Sequence, residues 1–311
     1  MSWRNNFTEG SMSYIKFVTD SASDIPAPLR EELNIQMLPF SIVMNDRELR
    51  DGVDFEPQDF YRDLTAAPRI PTHSQLTPVV FTDLYESALA EGVTDLIYVA
   101  INSKGSSTYE NAVMTRAQFL QEHPDCGMRI HIVDSHTYSM PFGWYLCECA
   151  RKVRNGGELA TCVDEMMHKL DCVEICLAAY SLKQMKKSGR VSAAAAVVGD
   201  LLGIRPIISL NDGISKVEAK VRGDAAVTPA MVKWVESRVD NMRDIPYMVG
   251  YTSSTAKRDE LVKLCKKAFG HPPLPFFKLG AAVSASTGPD ASAIGFEAQP
   301  RSLQDYEPAL P

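Results

Sequence analysis

No run of apolar residues in this 311-residue chain approaches the roughly 20 that a membrane-spanning helix requires. The longest nearly apolar stretches, such as Ser192 to Leu202 (SAAAAVVGDLL), fall well short, so no span is expected. An excess of positive charge is missing too. Lys and Arg number 32 against 39 Asp and Glu, giving a formal net charge of -7 and a pI near 5.5. That sign excludes a protein whose affinity comes from neutralising the phosphates of a nucleic acid. The first dozen residues, MSWRNNFTEGSM, lack the apolar core of a secretory signal, and a cytoplasmic location is expected. The seven cysteines show no paired Cys-x-x-Cys spacing. Cys172, Cys176 and His168 lie close in sequence, but small apolar residues filling a core are the stronger reading, and no metal is expected. A Gly-x-Ser-x-Gly elbow is absent, which argues against nucleophilic hydrolysis. Lys104-Gly105-Ser106 is too short to count as a phosphate loop. No catalytic residue is therefore assigned, and the chain is not expected to bind ATP itself.

What is present is 45% hydrophobic residues in a chain long enough for two domains. The first half alternates strands and helices: strands at Ile15–Asp20, Met37–Met44, Asp95–Ile101 and Met128–Val133, with helices after Asp24, through Phe81–Leu89, from Ser107 to about Gln121 and from Met140 to about Val153. Such alternation indicates a largely parallel sheet covered on both faces. Gly156-Gly157 marks a boundary, giving an α/β domain over 14–157 and an α+β domain over 158–300. In the second, a helix at Leu159–Leu170 and a strand at Val173–Ala178 come first, and Asn211-Asp212-Gly213 joins the strands Arg205–Leu210 and Ile214–Val221 as a hairpin. A helix at Pro229–Met242, a strand at Tyr247–Thr252, a helix at Ala256–Phe269 and strands near Phe276–Val283 and Ala293–Ala298 complete the reading.

Three early strands end in hydroxyl-rich clusters: Thr19-Asp20-Ser21-Ala22-Ser23, Asn102 to Thr108, and Asp134 to Ser139. In a parallel sheet these ends share one edge, where open α/β folds bind ligands. Ser, Thr and Asp also serve as helix N-caps, and that role accounts for most of them singly. Three clusters beside helix N-termini favour an anionic ligand group such as a carboxylate or phosphate.

From about Lys16 to Phe296 the chain resembles the DegV family of bacterial fatty-acid-binding proteins. FVTDSASDIP is similar to the family's opening strand and loop, and DGVDFEPQDFY to its DG-D-FY segment. PTHSQLTP resembles its TSQPSP loop, INSKGSSTYENA its ISSGLSGTYQSA loop, and IHIVDSHTYSMPFG its VIDS segment. YSLKQMKKSGRVSAAAAVVGDLLGIRPIISLNDG, followed by KVRG, resembles the long signature in which a Gly-Gly-Arg-Ile-Ser turn leads to a Lys-Pro-Ile strand. The resemblance implies the two-domain DegV-like (EDD) fold with a ligand tunnel between the domains. It implies a non-catalytic carrier that buries a long-chain fatty acid and presents its carboxylate to an ATP-dependent fatty acid kinase subunit, with transient contact at a membrane surface and no other cofactor. A different small amphipathic carboxylate or lipid, or a lipid hydrolase, are the alternatives.

Carried over by position, the carboxylate contacts implied are His73, Ser74, Ser103, Ser106, Ser286 and Thr287, and Arg190 matches the arginine associated with kinase docking. The chain departs from the pattern at several of these places. The family's late His-Thr-Gly-Pro-Gly loop reads Ser286-Thr287-Gly288-Pro289-Asp290, the threonine of the SQ loop is His73, and Gly positions are taken by Lys104, Ser107 and Pro141. An imidazole has left one loop and appeared in another expected to meet the same carboxylate, by compensation or by chance substitution.

Overall fold

Strand β1 (Ile15–Asp20) runs parallel to β2 (Ile35–Leu38) on one side and to β6 (Asp95–Ala100) on the other, and β6 pairs in parallel with β7 (Arg129–Asp134). All six residues of β6 are buried, as expected of an inner parallel strand covered on both faces. The computed structural model that gives this sheet describes residues 14–55, 57–66, 71–180, 185–186 and 203–301. Helices α1 (Ala27–Leu33), α3 (Pro78–Ala90), α4 (Thr108–Glu122) and α5 (Met140–Arg154) follow the strands much as the sequence indicates. Pro26 precedes α1, and Asn34 stops it with φ of 52°, a conformation asparagine tolerates.

The expected strand Met37–Met44 is two strands in two sheets. Pro39 offers no N–H and interrupts the ladder after β2. The chain then forms β3 (Ser41–Met44), which pairs antiparallel with β4 (Arg47–Arg50) and with β5 (Thr72–Ser74) in a small separate sheet. Asn45 and Asp46 both take positive φ (52° and 59°), the geometry that closes a two-residue hairpin. Helix α2 (Pro57–Ala66) sits beside this sheet, where Ile42, Met44, Phe60, Tyr61 and Leu64 form a minor core.

The second half builds a six-stranded sheet from β8 (Val173–Ala179), β9 (Ile204–Asn211), β10 (Ile214–Arg222), β11 (Tyr247–Tyr251), β12 (Phe276–Lys278) and β13 (Ala291–Glu297). Its order is β10-β9-β8-β13-β11-β12, antiparallel except for the last pair. Side chains alternate across it. Cys176, Ala178, Ile207, Val249 and Ile294 turn to one core with helices α7 (Val227–Glu236) and α8 (Thr255–Phe269). Ile175, Leu177, Ile208, Met248 and Ala293 join the larger core of the parallel-sheet half. Helix α6 (Leu159–Asp171) packs on α5.

Two further expectations are corrected. The helix expected over Pro229–Met242 ends at Glu236, where the Ser237 hydroxyl bonds to the Trp234 carbonyl (2.6 Å) and Arg238 turns to a bidentate pair with buried Glu174 (2.6 and 3.0 Å). The strand expected through Val283 stops at Lys278, and residues Ala281–Thr287 form helix α9. The Gly280 N–H donates to Asp24 (2.9 Å) and the Ala282 N–H to Asp51 (3.1 Å), so two distant carboxylates satisfy the orphan donors that begin this helix. All seven cysteines are free thiols, six of them buried. Among the described residues no helix is long and apolar enough to cross a membrane.

Candidate functional site

A narrow cavity lies where the inner face of the six-stranded sheet meets the loops of the parallel sheet. It leaves about 70 Å³ for the centre of a water-sized sphere. The second half walls it with Ile175, Leu177, Leu210, Phe277, Ala293 and Gly295 from the sheet. Leu279, two residues before the start of helix α9, and Ala282, Val283, Ser286 and Thr287 of that helix add to the wall. From the first half come His73, Ile101, Gly105, Tyr138, Ser139 and Pro141. An apolar bore with a few hydroxyls and one imidazole suits a ligand with a long apolar body and one polar end.

Of the six residues singled out for the carboxylate, the structure gathers His73, Ser286 and Thr287 around this cavity. His73 also packs edge-on against Phe40, with ring centroids 6.2 Å apart. The other three lie close by in the same loops but do not border the cavity. Ser74 is exposed and alternates with His73 along β5, opposite Ser41. The Ser103 N–H donates to Asp134 (3.1 Å), fixing the loop after β6 to the end of β7. The Ser106 hydroxyl pairs with Thr108 Oγ1 (2.9 Å) and accepts from the Thr108 N–H (3.3 Å), which is N-terminal chemistry for α4. Between Ser103 and Ser106, Gly105 does reach the cavity. A Cβ there would lie 2.6 Å from the Tyr138 hydroxyl, so any larger residue would have to displace that ring. Arg190 lies outside the described residues.

Thr287 carries the clearest chemical signal. It is 5% exposed, borders the cavity, and its Oγ1 is buried with no hydrogen-bond partner among the described residues. An unsatisfied buried hydroxyl costs free energy unless something else satisfies it.

Sequence reasoning missed the carboxylates that hold the site together. Asp20 is fully buried and accepts from the Ile101 N–H (2.8 Å), the Ala22 N–H (3.1 Å) and the Tyr98 hydroxyl (3.1 Å). Burial outweighs these donors and pushes its carboxyl up to about 7. Asp24 accepts from the Ser139 hydroxyl as well as from Gly280, and Asp51 accepts from the Ser21 hydroxyl (3.0 Å) as well as from Ala282. Burial also raises both of these carboxyls, and for Asp24 the neighbouring Asp51 and Asp20 charges add to it. Tyr61, itself raised by burial, donates to the Leu279 carbonyl (2.6 Å) and meets Ser284 of α9. These groups tie α9 to the first half. The signal was present in TDSASD and DGVDFE, but spacing alone gave no reason to send two of these acids to the start of a helix 230 or more residues away.

A second tie joins the two halves through the hairpin turn. Asp212, in the hairpin turn of the second half, meets Lys104 (2.5 Å) and the His136 Nδ1 (2.7 Å) in the loops after β6 and β7. Burial opposes ionisation of Asp212, but Lys104 and His136 outweigh it and hold its carboxyl below the usual range. Among the described residues no group of three His, Cys, Asp or Glu side chains is placed to hold a metal ion.

Comparison with known proteins agrees with this architecture. The family model described as "Uncharacterised protein, DegV family" matches residues 14–299. A DegV domain-containing protein of Caldanaerobacter subterraneus subsp. tengcongensis is 26% identical over 286 residues, covering 92% of this chain and 99% of that protein. Among solved structures, a stearic-acid-binding protein from Eubacterium ventriosum superposes with a TM-score of 0.83 at 20% identity, covering 94% of this chain and all of that one. A DegV family protein from Thermus thermophilus, described by its fatty acid binding, gives a TM-score of 0.78 at 23% identity, with coverages of 92% and 99%.

Proposed function

The chain belongs to the DegV family, and from that premise we propose that its cavity holds one long-chain fatty acid, with the carboxylate at the α9 end and the acyl chain along the sheet. The observation that carries this reading is the Thr287 hydroxyl, buried without a partner among the described residues, at the edge of a mostly apolar bore. A carboxylate accepting from Thr287, with Ser286 and His73 beside it, satisfies that donor and offsets part of its own desolvation. Burying about fifteen methylenes at about 0.8 kcal/mol each supplies ample gross affinity for the rest. Ser74, Ser103 and Ser106 belong to the same loops, and in this reading they act by shaping them or by reaching the acid once it is bound. The stearic-acid-binding and fatty-acid-binding neighbours support the ligand class.

In the same reading, the lobe of residues 14–157 contributes the head-group loops and the lobe of residues 158–300 most of the acyl wall. The chain acts as a non-catalytic carrier that presents the carboxylate to an ATP-dependent fatty acid kinase subunit for acyl-phosphate formation, and Arg190 takes part in docking. A sequence without a phosphate loop or nucleophile elbow fits a protein that leaves the chemistry to a partner. Mass spectrometry of an organic extract of the purified chain is the first test: a stoichiometric long-chain acid is expected, and a different amphipathic carboxylate in its place redirects the ligand assignment. Acyl phosphate should then form from ATP only when a matching kinase is added, and turnover by the chain alone contradicts the carrier role.

A further inference from the structure

Pro141 stands in the first turn of α5, and Gly295 lies on β13 between Ile175 of β8 and Met248 of β11. Both border the cavity. A Cβ built on Gly295 would lie 2.7 Å from the Pro141 Cγ, far inside the roughly 3.5–4.0 Å of ordinary carbon contact. The ring is therefore seated directly on the strand backbone, with no gap for a methylene between them. The pair is a wall of the cavity rather than a passage through it.

Beyond that wall the same two elements border a second, more open groove. One turn further along α5 is Tyr145 and two residues further along β13 is Glu297, joined by a hydrogen bond of 2.7 Å, and Lys169 meets the other Glu297 oxygen at 2.7 Å. Trp144, Tyr145 and Glu297 all line the groove. The Pro141–Gly295 contact thus lies on the two elements that line the cavity at these residues and the groove one turn and two residues further along.

We infer that the Pro141 ring seated on Gly295 is the stop that fixes the length of acyl chain the cavity accepts. The inference rests on the fatty-acid reading and deepens it, since it makes this pair a determinant of which acids are retained. Pro141→Ala removes the ring atoms beyond Cβ, and alanine is well tolerated at a helix start, so the cavity extends toward the groove. Gly295→Ala does the reverse by pushing the ring into the cavity. In the double variant the new methyl would face the residue 141 Cβ at 3.6 Å, an ordinary contact, so the strain of the single substitution is relieved.

The test incubates the full-length delipidated chain and its three variants with an equimolar mixture of saturated acids from lauric to arachidic, then identifies the retained acids by mass spectrometry. Pro141→Ala is expected to shift retention toward longer acids, Gly295→Ala toward shorter ones, and the double variant back toward the parent. Each methylene gained or lost should change relative retention by roughly fourfold. A parent that retains an acid while Pro141→Ala and Gly295→Ala both keep the parent's length distribution overturns the stop and leaves the ligand assignment standing. A parent that retains no acid from the mixture overturns both.

Discussion

Thr287→Val separates a ligand-binding hydroxyl from a structural one, because the two roles give opposite signs. Valine keeps the branched shape and removes only the hydroxyl, which is buried without a partner among the described residues. Leaving such a group unsatisfied costs about 1–3 kcal/mol. The variant should therefore raise the stability of the delipidated chain by about 1 kcal/mol or more. In the proposed complex the hydroxyl would donate to a carboxylate, and a hydrogen bond to a charged group contributes about 1.5–3 kcal/mol. Affinity for palmitate should fall by roughly ten- to a hundredfold. Thermal unfolding of the delipidated protein reads the first effect, and isothermal titration with palmitate reads the second. A variant that unfolds at lower temperature and binds palmitate like the parent would refute the reasoning, since it would show that Thr287 supports the fold and does not touch the ligand.

Stability should depend on pH through the buried acids. A carboxyl raised in the folded chain stabilises it fully below the ordinary value of 3.8 and loses that contribution as pH climbs to the folded value of about 7 for Asp20. Asp24 and Asp51 are raised as well and add slope of the same sign. Thermal unfolding followed from pH 4 to 7 should show this decline, and Asp20→Asn should flatten it; an equal slope in the variant would assign the effect elsewhere. Arg129→Ala should cost about 3 kcal/mol in urea unfolding, because it removes the fork (2.6 and 2.7 Å) that pairs Asp95, a residue 1% exposed whose carboxyl is held well below its usual range. A loss below about 1 kcal/mol would mean that the contacts from His131 and Thr94 suffice. His73→Ala should weaken palmitate binding several-fold, with Ser286→His restoring it in the double variant, as both positions border one cavity. Parent-like binding by His73→Ala would leave the hydroxyls as the sole head-group contacts.

The residues alone carried the alternation of strands and helices in the first half, because β1, β6 and β7 are short β-rich runs and each following helix begins at a local cue such as Pro26 or Pro141. They also carried the β9–β10 hairpin, since Asp212 and Gly213 both adopt the positive φ that such a turn demands. Order and spacing of the quoted segments pointed to the family for the same reason: they are local patterns. The turn at Asn45-Asp46 was equally legible and was passed over in favour of one longer strand.

Helix α9 was not legible. Its sequence AAVSAST suits either state, and what decides for the helix is a pair of carboxylates, Asp24 and Asp51, delivered by loops of the other half to its first N–H groups. Only tertiary structure brings those partners together, and only there do hydroxyls equivalent in sequence diverge. Ser106 is drawn into the start of α4, whereas Thr287, buried at the end of α9, is left with a donor and no acceptor among the described residues. Local hydrogen-bonding competition and long-range burial set that difference, and neither is written in the spacing of residues along the chain.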